Sequence, residues 1–249
     1  MNGIEPVQGE DVVIEETWDI ILNCSPPPLG KVEINGRLTF RDDDNLDLTL
    51  QAESIWVRNG TLNIGTETNP HRHKAIIRLG DSGVRRRLVP GTIEGDKILL
   101  NTGEMNLYGQ PRVNYLPRLE QPVYPGDDSA ILEDSMDIFP DDILFFGPTA
   151  MQHDHFDYMT VLSYDPVTGI THFTNTFDHY HFGAYDTKLD YNNVDMRGEV
   201  AILTRNVVIE GTTDNDIGCQ VVTTDVLERI GIFRRGQTNI QSVEITNCS

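Results

Sequence analysis

Long hydrophobic runs are missing from this chain: no stretch approaches the roughly 18 to 20 apolar residues that a membrane-spanning helix needs. Basic residues are scarce, 19 Lys and Arg against 39 Asp and Glu, for a net charge of −20. That balance opposes affinity for nucleic acid and insertion at an anionic membrane surface, so neither is expected as a partner. Cysteine is limited to Cys24, Cys219 and Cys248, with no CxxC spacing, which argues against a zinc ribbon or a thioredoxin-like site. GxSxG, P-loop, Rossmann and HExxH signatures are all absent, so the common nucleophilic, nucleotide and zinc-protease mechanisms have no foothold. Helical periodicity is also lacking beyond a turn or two, and DVLERIGIF from Asp225 is the best short helix candidate.

What the chain does have is recurring strand-like segments. VVIEETWDIIL begins at Val12, VEINGRLTF at Val32 and IWVRNGTLNI at Ile55, with AIIRLGD and ILLNTGEMNLYG further along near Ile76 and Ile98. Short strands recurring every 20 to 25 residues or so suit a solenoid, in which each coil buries its apolar face against its neighbours. Asn35-Gly36 and Asn59-Gly60 read either as hairpin turns or as corners between two faces of a coil, and the period favours corners. Between 110 and 190 seven prolines from Pro111 to Pro166 interrupt short strands, which predicts an irregular β-rich insertion. The regular pattern returns as VAILTRNVVIEG. The expected division is therefore a β-solenoid over 1–110, an insertion over 111–193 and further β coils over 194–249.

The stretches VEINGRLTF, LTLQAESIWVRNGTLNIGTETNPHRHKAIIRLGD, LYGQPR and VDMRGEVAILTRNVVIEG together resemble the eight-glycine (G-eight) domain and the adjoining right-handed parallel β-helix of fibrocystins, fibrocystin-like proteins and secreted or cell-surface hyaluronidases. The resemblance covers roughly 12–249. It implies an all-β chain, a right-handed parallel β-helix with the irregular insertion in its middle. Gly30, Gly36, Gly60, Gly65, Gly80, Gly91, Gly103 and Gly109 would carry the domain's name, at corners where the backbone must reach φ > 0. The chain departs from the family pattern at MDIFPDDILFFG, which has no Trp, and it lacks the Trp upstream of the domain.

Three constellations could carry chemistry. Asp195, Arg197 and Glu199 alternate, so an extended strand would point all three to one face. Two carboxylates at such spacing are glycosidase equipment, yet an intervening Arg would keep both ionised, which is wrong for a general acid. The structural reading, an Arg neutralised from both sides where the insertion rejoins the coil, is preferred. His71 with His73, His153 with His155, and His179 with His181 form three His-x-His pairs, a geometry used by Zn and Cu sites. The candidate metal set is His153, His155, His179 and His181, against the simpler reading of surface and loop histidines. His181-Phe182-Gly183 also resembles a His-x-Gly of the family. Asp42-Asp43-Asp44, Asp127-Asp128 and Asp141-Asp142 could supply oxygen ligands to Ca, though no calcium-loop spacing is present and solvated loop charge is the plainer account. Arg85-Arg86-Arg87 and Arg234-Arg235 could hold an acidic sugar, or simply be solvated. No cofactor is certain; Ca and Zn are the candidates.

Asn23, Asn59 and Asn247 each begin an N-glycosylation acceptor, which leans toward an extracellular or cell-surface chain. One internal disulfide at most can form. Cys219 with Cys248 is the pair if it does, since 29 residues is near one coil, and three unbridged thiols stand as an equal alternative. The opening MNGIEPVQGEDVV lacks a signal-peptide pattern, so a processed chain or a piece of a longer one is expected. The favoured function is a non-catalytic extracellular structural or adhesion module. Its partners would be copies of itself, other extracellular proteins or glycans. The alternative, implied by the resemblance, is a hyaluronan-type polysaccharide hydrolase acting through Asp195, Arg197 and Glu199.

Overall fold

The computed structural model describes residues 5–43, 46–80, 87–89, 93–94, 97–113, 116–133, 135–183, 195–212, 218–227 and 231–248. Among these the chain is all-β, with 22 strands and no helix. It divides into two compact units, Met1–Pro111 with Arg205–Ser249, and Arg112–Thr204.

In the first unit the chain runs through β1 (Val12–Ile14), β2 (Asp19–Leu22), β3 (Leu29–Ile34), β4 (Arg37–Phe40), β5 (Leu48–Val57), β6 (Thr61–Ile64), β7 (Ala75–Leu79), β8 (Arg87–Val89), β9 (Ile93–Glu94), β10 (Ile98–Asn101) and β11 (Glu104–Tyr108). The second unit holds β12 (Ser129–Ile131), β13 (Ile143–Phe146), β14 (Asp157–Tyr164), β15 (Ile170–Phe173) and β16 (Val200–Ile202). Back in the first unit come β17 (Val207–Gly211), β18 (Gln220–Thr223), β19 (Val226–Leu227), β20 (Phe233–Arg234), β21 (Gln237–Gln241) and β22 (Val243–Thr246).

Two parallel ladders organise the first unit. One runs β1-β3-β5-β7-β17-β22, with β10 and β18 continuing beside the second half of β5; the other runs β2-β4-β6-β11-β21. The periodic positions of the sequence stack in register: Val12 lies opposite Val32, and Val32 opposite Ile55. Apolar side chains at alternate positions point inward from both ladders, so Ile34, Ile55, Leu62, Ile64, Ile77, Leu107 and Ile209 are fully buried in one cluster. β5 changes character midway. Its first half alternates buried and half-buried residues, whereas Ser54–Val57 is buried on both faces, with Trp56 packed in a separate cluster with Ile98, Leu100 and Val226. Val226 comes from β19, which pairs antiparallel with β20. The segment expected to favour a helix, DVLERIGIF, thus supplies strands at both ends.

The Asn-Gly pairs are corners. β3 and β4 belong to different ladders, and the carbonyls of Gly36, Gly60 and Gly103 accept, in turn, the amides of Thr61 (2.8 Å), Glu104 (3.0 Å) and Gln237 (2.8 Å). The reason for glycine differs from the expected φ > 0. Of the eight named glycines, Gly65 is the described one with positive φ (68°), and Gly91 lies outside the described residues. At Gly60 an added Cβ would fall on the Gly36 carbonyl oxygen, and at Gly103 it would lie 2.5 Å from that of Gly60. Close stacking of successive corners excludes a side chain.

The second unit is antiparallel, in the order β12-β15-β14-β13-β16. Its own core is aromatic: Phe146 meets Phe177 at 4.8 Å and Phe173 at 5.8 Å, both edge-on at 88°. The pairing of β16 with β13 places 200–202 in this unit, so the chain returns to the first unit at Arg205, not at 194. Asn206 marks the return. Its Nδ2 donates to the carbonyls of His71 (2.6 Å) and His73 (2.9 Å), and its Oδ1 accepts the amide of Gln110 (2.9 Å).

Candidate functional site

Asp195, Arg197 and Glu199 do not share one extended strand, because the backbone bends at Arg197 and β16 begins only at Val200. Arg197 grips Asp195 through Nε (3.0 Å to Oδ1) and Nη2 (2.8 Å to Oδ2), then reaches Glu133 at 2.9 Å and also Glu120. Glu199 is held instead by Arg118, at 2.7 Å. Arg118 also donates to the carbonyls of Asp195 (3.3 Å) and Arg197 (3.2 Å), next to a single antiparallel bridge with Glu199. The hydrogen bonds from Arg197 bring the Asp195 carboxyl down to about 2, and the same pairing raises Arg197 above the usual guanidinium range. Two guanidinium groups therefore hold four carboxylates across the second unit. Neither Asp195 nor Glu199 is free of an arginine. Arg118, Glu120 and Glu133 escaped sequence reading because their partners lie 64 to 81 residues away; the alternation Arg118-Leu119-Glu120 was the available signal.

Of the four histidines proposed for a metal, two meet at Asp157: fully buried His181 has Nδ1 2.9 Å from the Gly147 carbonyl and Nε2 2.8 Å from Asp157 Oδ2, and His179 Nδ1 lies 3.5 Å from the same carboxylate oxygen. His155 stacks on His179 at 4.5 Å, and His153 is exposed. Among the described residues no group of three or more His, Cys, Asp or Glu is placed to hold a metal ion. The residue that organises this region is Asp157, which also accepts the amides of Asp178 and His179 at 3.1 Å each. Burial alone would raise its carboxyl, but the hydrogen bonds from His181 and these two amides outweigh that and hold it below its ordinary value.

Asp42 plays a similar part in the first unit. It accepts His73 Nδ1 at 2.7 Å and Arg72 Nε at 3.1 Å, and stays below its ordinary value because these bonds outweigh desolvation. His71, fully buried nearby, has no hydrogen-bond partner on either ring nitrogen; burial pushes it down, toward the neutral form. The other acidic pairs serve turns: Asp142 holds Arg112 at 2.8 Å and the Phe139 amide, and Asp127 caps Tyr124. Asp43 pairs with Arg41, while Asp44, Arg85 and Arg86 lie outside the described residues, as does the side chain of Arg87. Arg235 stands 3.9 Å from Asp225.

The outward face of the second ladder is a polar trough. Three open depressions succeed one another along it, of ≈ 480, ≈ 470 and ≈ 410 Å³, sharing Asp19, Arg37 and Thr61 between the first two, and Thr39, Asn63 and Asn106 between the last two. An amide row crosses it from strand to strand: Asn239 donates to Asn106 at 2.8 Å, and Asn106 to Asn63 at 3.0 Å. Sequence reading missed this face because its members, one or two per strand, meet only when the strands pair. Asn23, Asn59 and Asn247 are all exposed. Cys219 and Cys248 sit opposite each other across a parallel bridge, joined as a disulfide with Cα atoms 4.0 Å apart, and Cys24 is free and exposed.

The segment that holds the glycine corners falls within a match to a known family model. Residues 1–120 match the G8 domain. Over 211 residues the chain is 32% identical to human fibrocystin-L, an alignment covering 83% of this chain and 5% of that protein. Mouse fibrocystin is 24% identical over 257 residues, 99% of this chain and 6% of its own length. A Dictyostelium discoideum protein is 27% identical over 94% of this chain and 22% of its own length. The chain thus spans a small fraction of the length of these relatives. Among the described residues no helix is long and apolar enough to cross a membrane.

Proposed function

We propose that this chain is a non-catalytic extracellular module in which the first unit is a right-handed parallel β-helix that presents its polar outer face to glycans or other proteins. The in-register stacking of both ladders supports the β-helix, since each coil contributes one strand to each ladder and buries its apolar side on the coils above and below. Extracellular placement draws on three exposed acceptor asparagines and a bridged cysteine pair, both suited to an oxidising compartment. The likeness to fibrocystin and fibrocystin-L fits a module within a longer protein.

The observation that carries the non-catalytic reading is the state of the carboxylates. A glycosidase needs one carboxyl that keeps its proton near neutral pH and one that does not. Asp195, down to about 2, has no proton to give, and Arg118 occupies Glu199. Incubating the purified protein with hyaluronan and with neutral polysaccharides, then sizing the products, tests this directly. Unshortened chains are expected. Shortening that disappears in Asp195→Asn or Glu199→Gln variants would restore the hydrolase alternative.

A further inference from the structure

We propose that the middle depression on the outer face of the second ladder binds one strand of an uncharged polysaccharide, laid across the strands along the row Thr39, Asn63 and Asn106. The inference rests on the reading of the chain as an extracellular, non-catalytic module and names the site and ligand class within it.

Register puts the outward residues in rows. Thr39 lies beside Asn63, Asn63 beside Asn106 and Asn106 beside Asn239, one residue per strand. Parallel strands are about 4.8 Å apart, so hydrogen-bonding groups recur at that interval, comparable to the advance of one sugar in an extended chain. The row is ordered by its own amide bonds yet incompletely satisfied. The hydroxyls of Thr39 and Thr61 and the amide N–H groups of Asn63 make no hydrogen bond with the described residues, although all three side chains are half-buried. Half-buried donors and acceptors held in a fixed row favour a ligand with many hydroxyls, which can both donate and accept. Tyr108, half-buried on the same face, lines the last depression and offers a flat face for a sugar ring, whereas Trp18 packs against the core.

Charge selects against acidic glycans. Asp19 and Glu104 line the trough, its Arg37 is already paired with Asp19 at 3.0 Å, and the chain carries −20 overall. A peptide strand is disfavoured for another reason: this is a sheet face, with its backbone groups already used within the ladder, so a peptide could not add by main-chain pairing.

Calorimetric titration of the purified chain with hexasaccharides of cellulose, mannan, chitin, laminarin and hyaluronan tests the proposal. One neutral hexasaccharide is expected to bind and hyaluronan to bind more weakly or not at all. The Thr39→Ala/Asn63→Ala double variant should lose about tenfold in affinity or more, through two lost hydrogen bonds, with its circular dichroism unchanged. Gln51→Ala, on the other ladder, should bind as the parent does. The proposal is overturned if no neutral hexasaccharide binds, if hyaluronan binds best, or if the double variant binds undiminished. Asn59, an acceptor asparagine, lines the first depression. Binding that emerges only in Asn59→Gln would assign the trough to the chain's own glycan and also overturn it. Sizing the ligand after titration separates the two readings: a shortened hexasaccharide refutes the non-catalytic reading while leaving the binding face in place.

Discussion

Removing the Asp157 carboxylate is the sharpest test of how the second unit is held together. In Asp157→Ala, His181 loses its Nε2 acceptor and the amides of Asp178 and His179 lose theirs. His181 is fully buried and the Asp157 side chain 6% exposed, so water cannot fully replace the lost partner. Breaking a buried pair by deleting one member costs about 3–5 kcal/mol. At about 1.4 kcal/mol per tenfold, amide protection of β13, β14 and β15 should fall by about two to three and a half orders of magnitude in hydrogen exchange read by mass spectrometry. Trp18 and Trp56, both in the first unit, are the chain's two tryptophans, so their emission should stay unchanged and serves as the control. The pH dependence has a defined sign. Asp157 sits below its ordinary 3.8 in the folded chain, so its contribution is fully present above about 3.8 and is lost as pH falls through the folded value. Asp157→Asn should flatten that acid limb. A loss of protection below tenfold, or one confined to 178–181, would refute the account of Asp157 as the organising residue.

Gly103→Ala should destabilise the first unit by about 1–3 kcal/mol, because the new Cβ meets the Gly60 carbonyl at 2.5 Å, whereas Gly80→Ala, whose nearest neighbour is 3.7 Å away, should be neutral or slightly stabilising in thermal melts. Arg197→Met leaves Asp195, Glu120 and Glu133 facing one another; their exposure limits the cost to about 1–2 kcal/mol, and an NMR titration should show the Asp195 carboxyl rising from about 2 toward its ordinary value. Cys219→Ser, by opening a 29-residue loop, should cost about 3–4 kcal/mol in denaturant unfolding, matched by reduction of the parent and absent after reduction of the variant.

Much of the first unit was legible because stacking converts a spatial neighbour into a sequence period: Val12, Val32 and Ile55 sit at gaps of 20 and 23 residues and lie in register. The return point was not. VAILTRNVVIEG reads as one apolar run, and nothing local shows that Ile202 pairs with Leu144 while Val207 pairs with Ala75. The site region was legible only as residue types. Asp195 with Arg197 is a local pair and was seen, but Arg118 and Glu133 join it through long-range packing. Asp157 stands out in the sequence only as one of the acids beside five histidines, because its role is set by two backbone amides, and backbone donors leave no trace in side-chain spacing. The corner glycines were recognised for the wrong physical reason, since a close backbone neighbour about 25 to 40 residues away is invisible until the strands are paired.

Asn206 gives the insertion a further meaning. One side chain clasps both the residue where the chain departs and the residues of the coil to which it returns, so departure and return are neighbours in space. A short linker in place of residues 112–204 would close that gap at little entropic cost. The ninety-odd intervening residues thus leave and re-enter at one joint, and a variant that replaces them with a short linker should keep the ladders of the first unit.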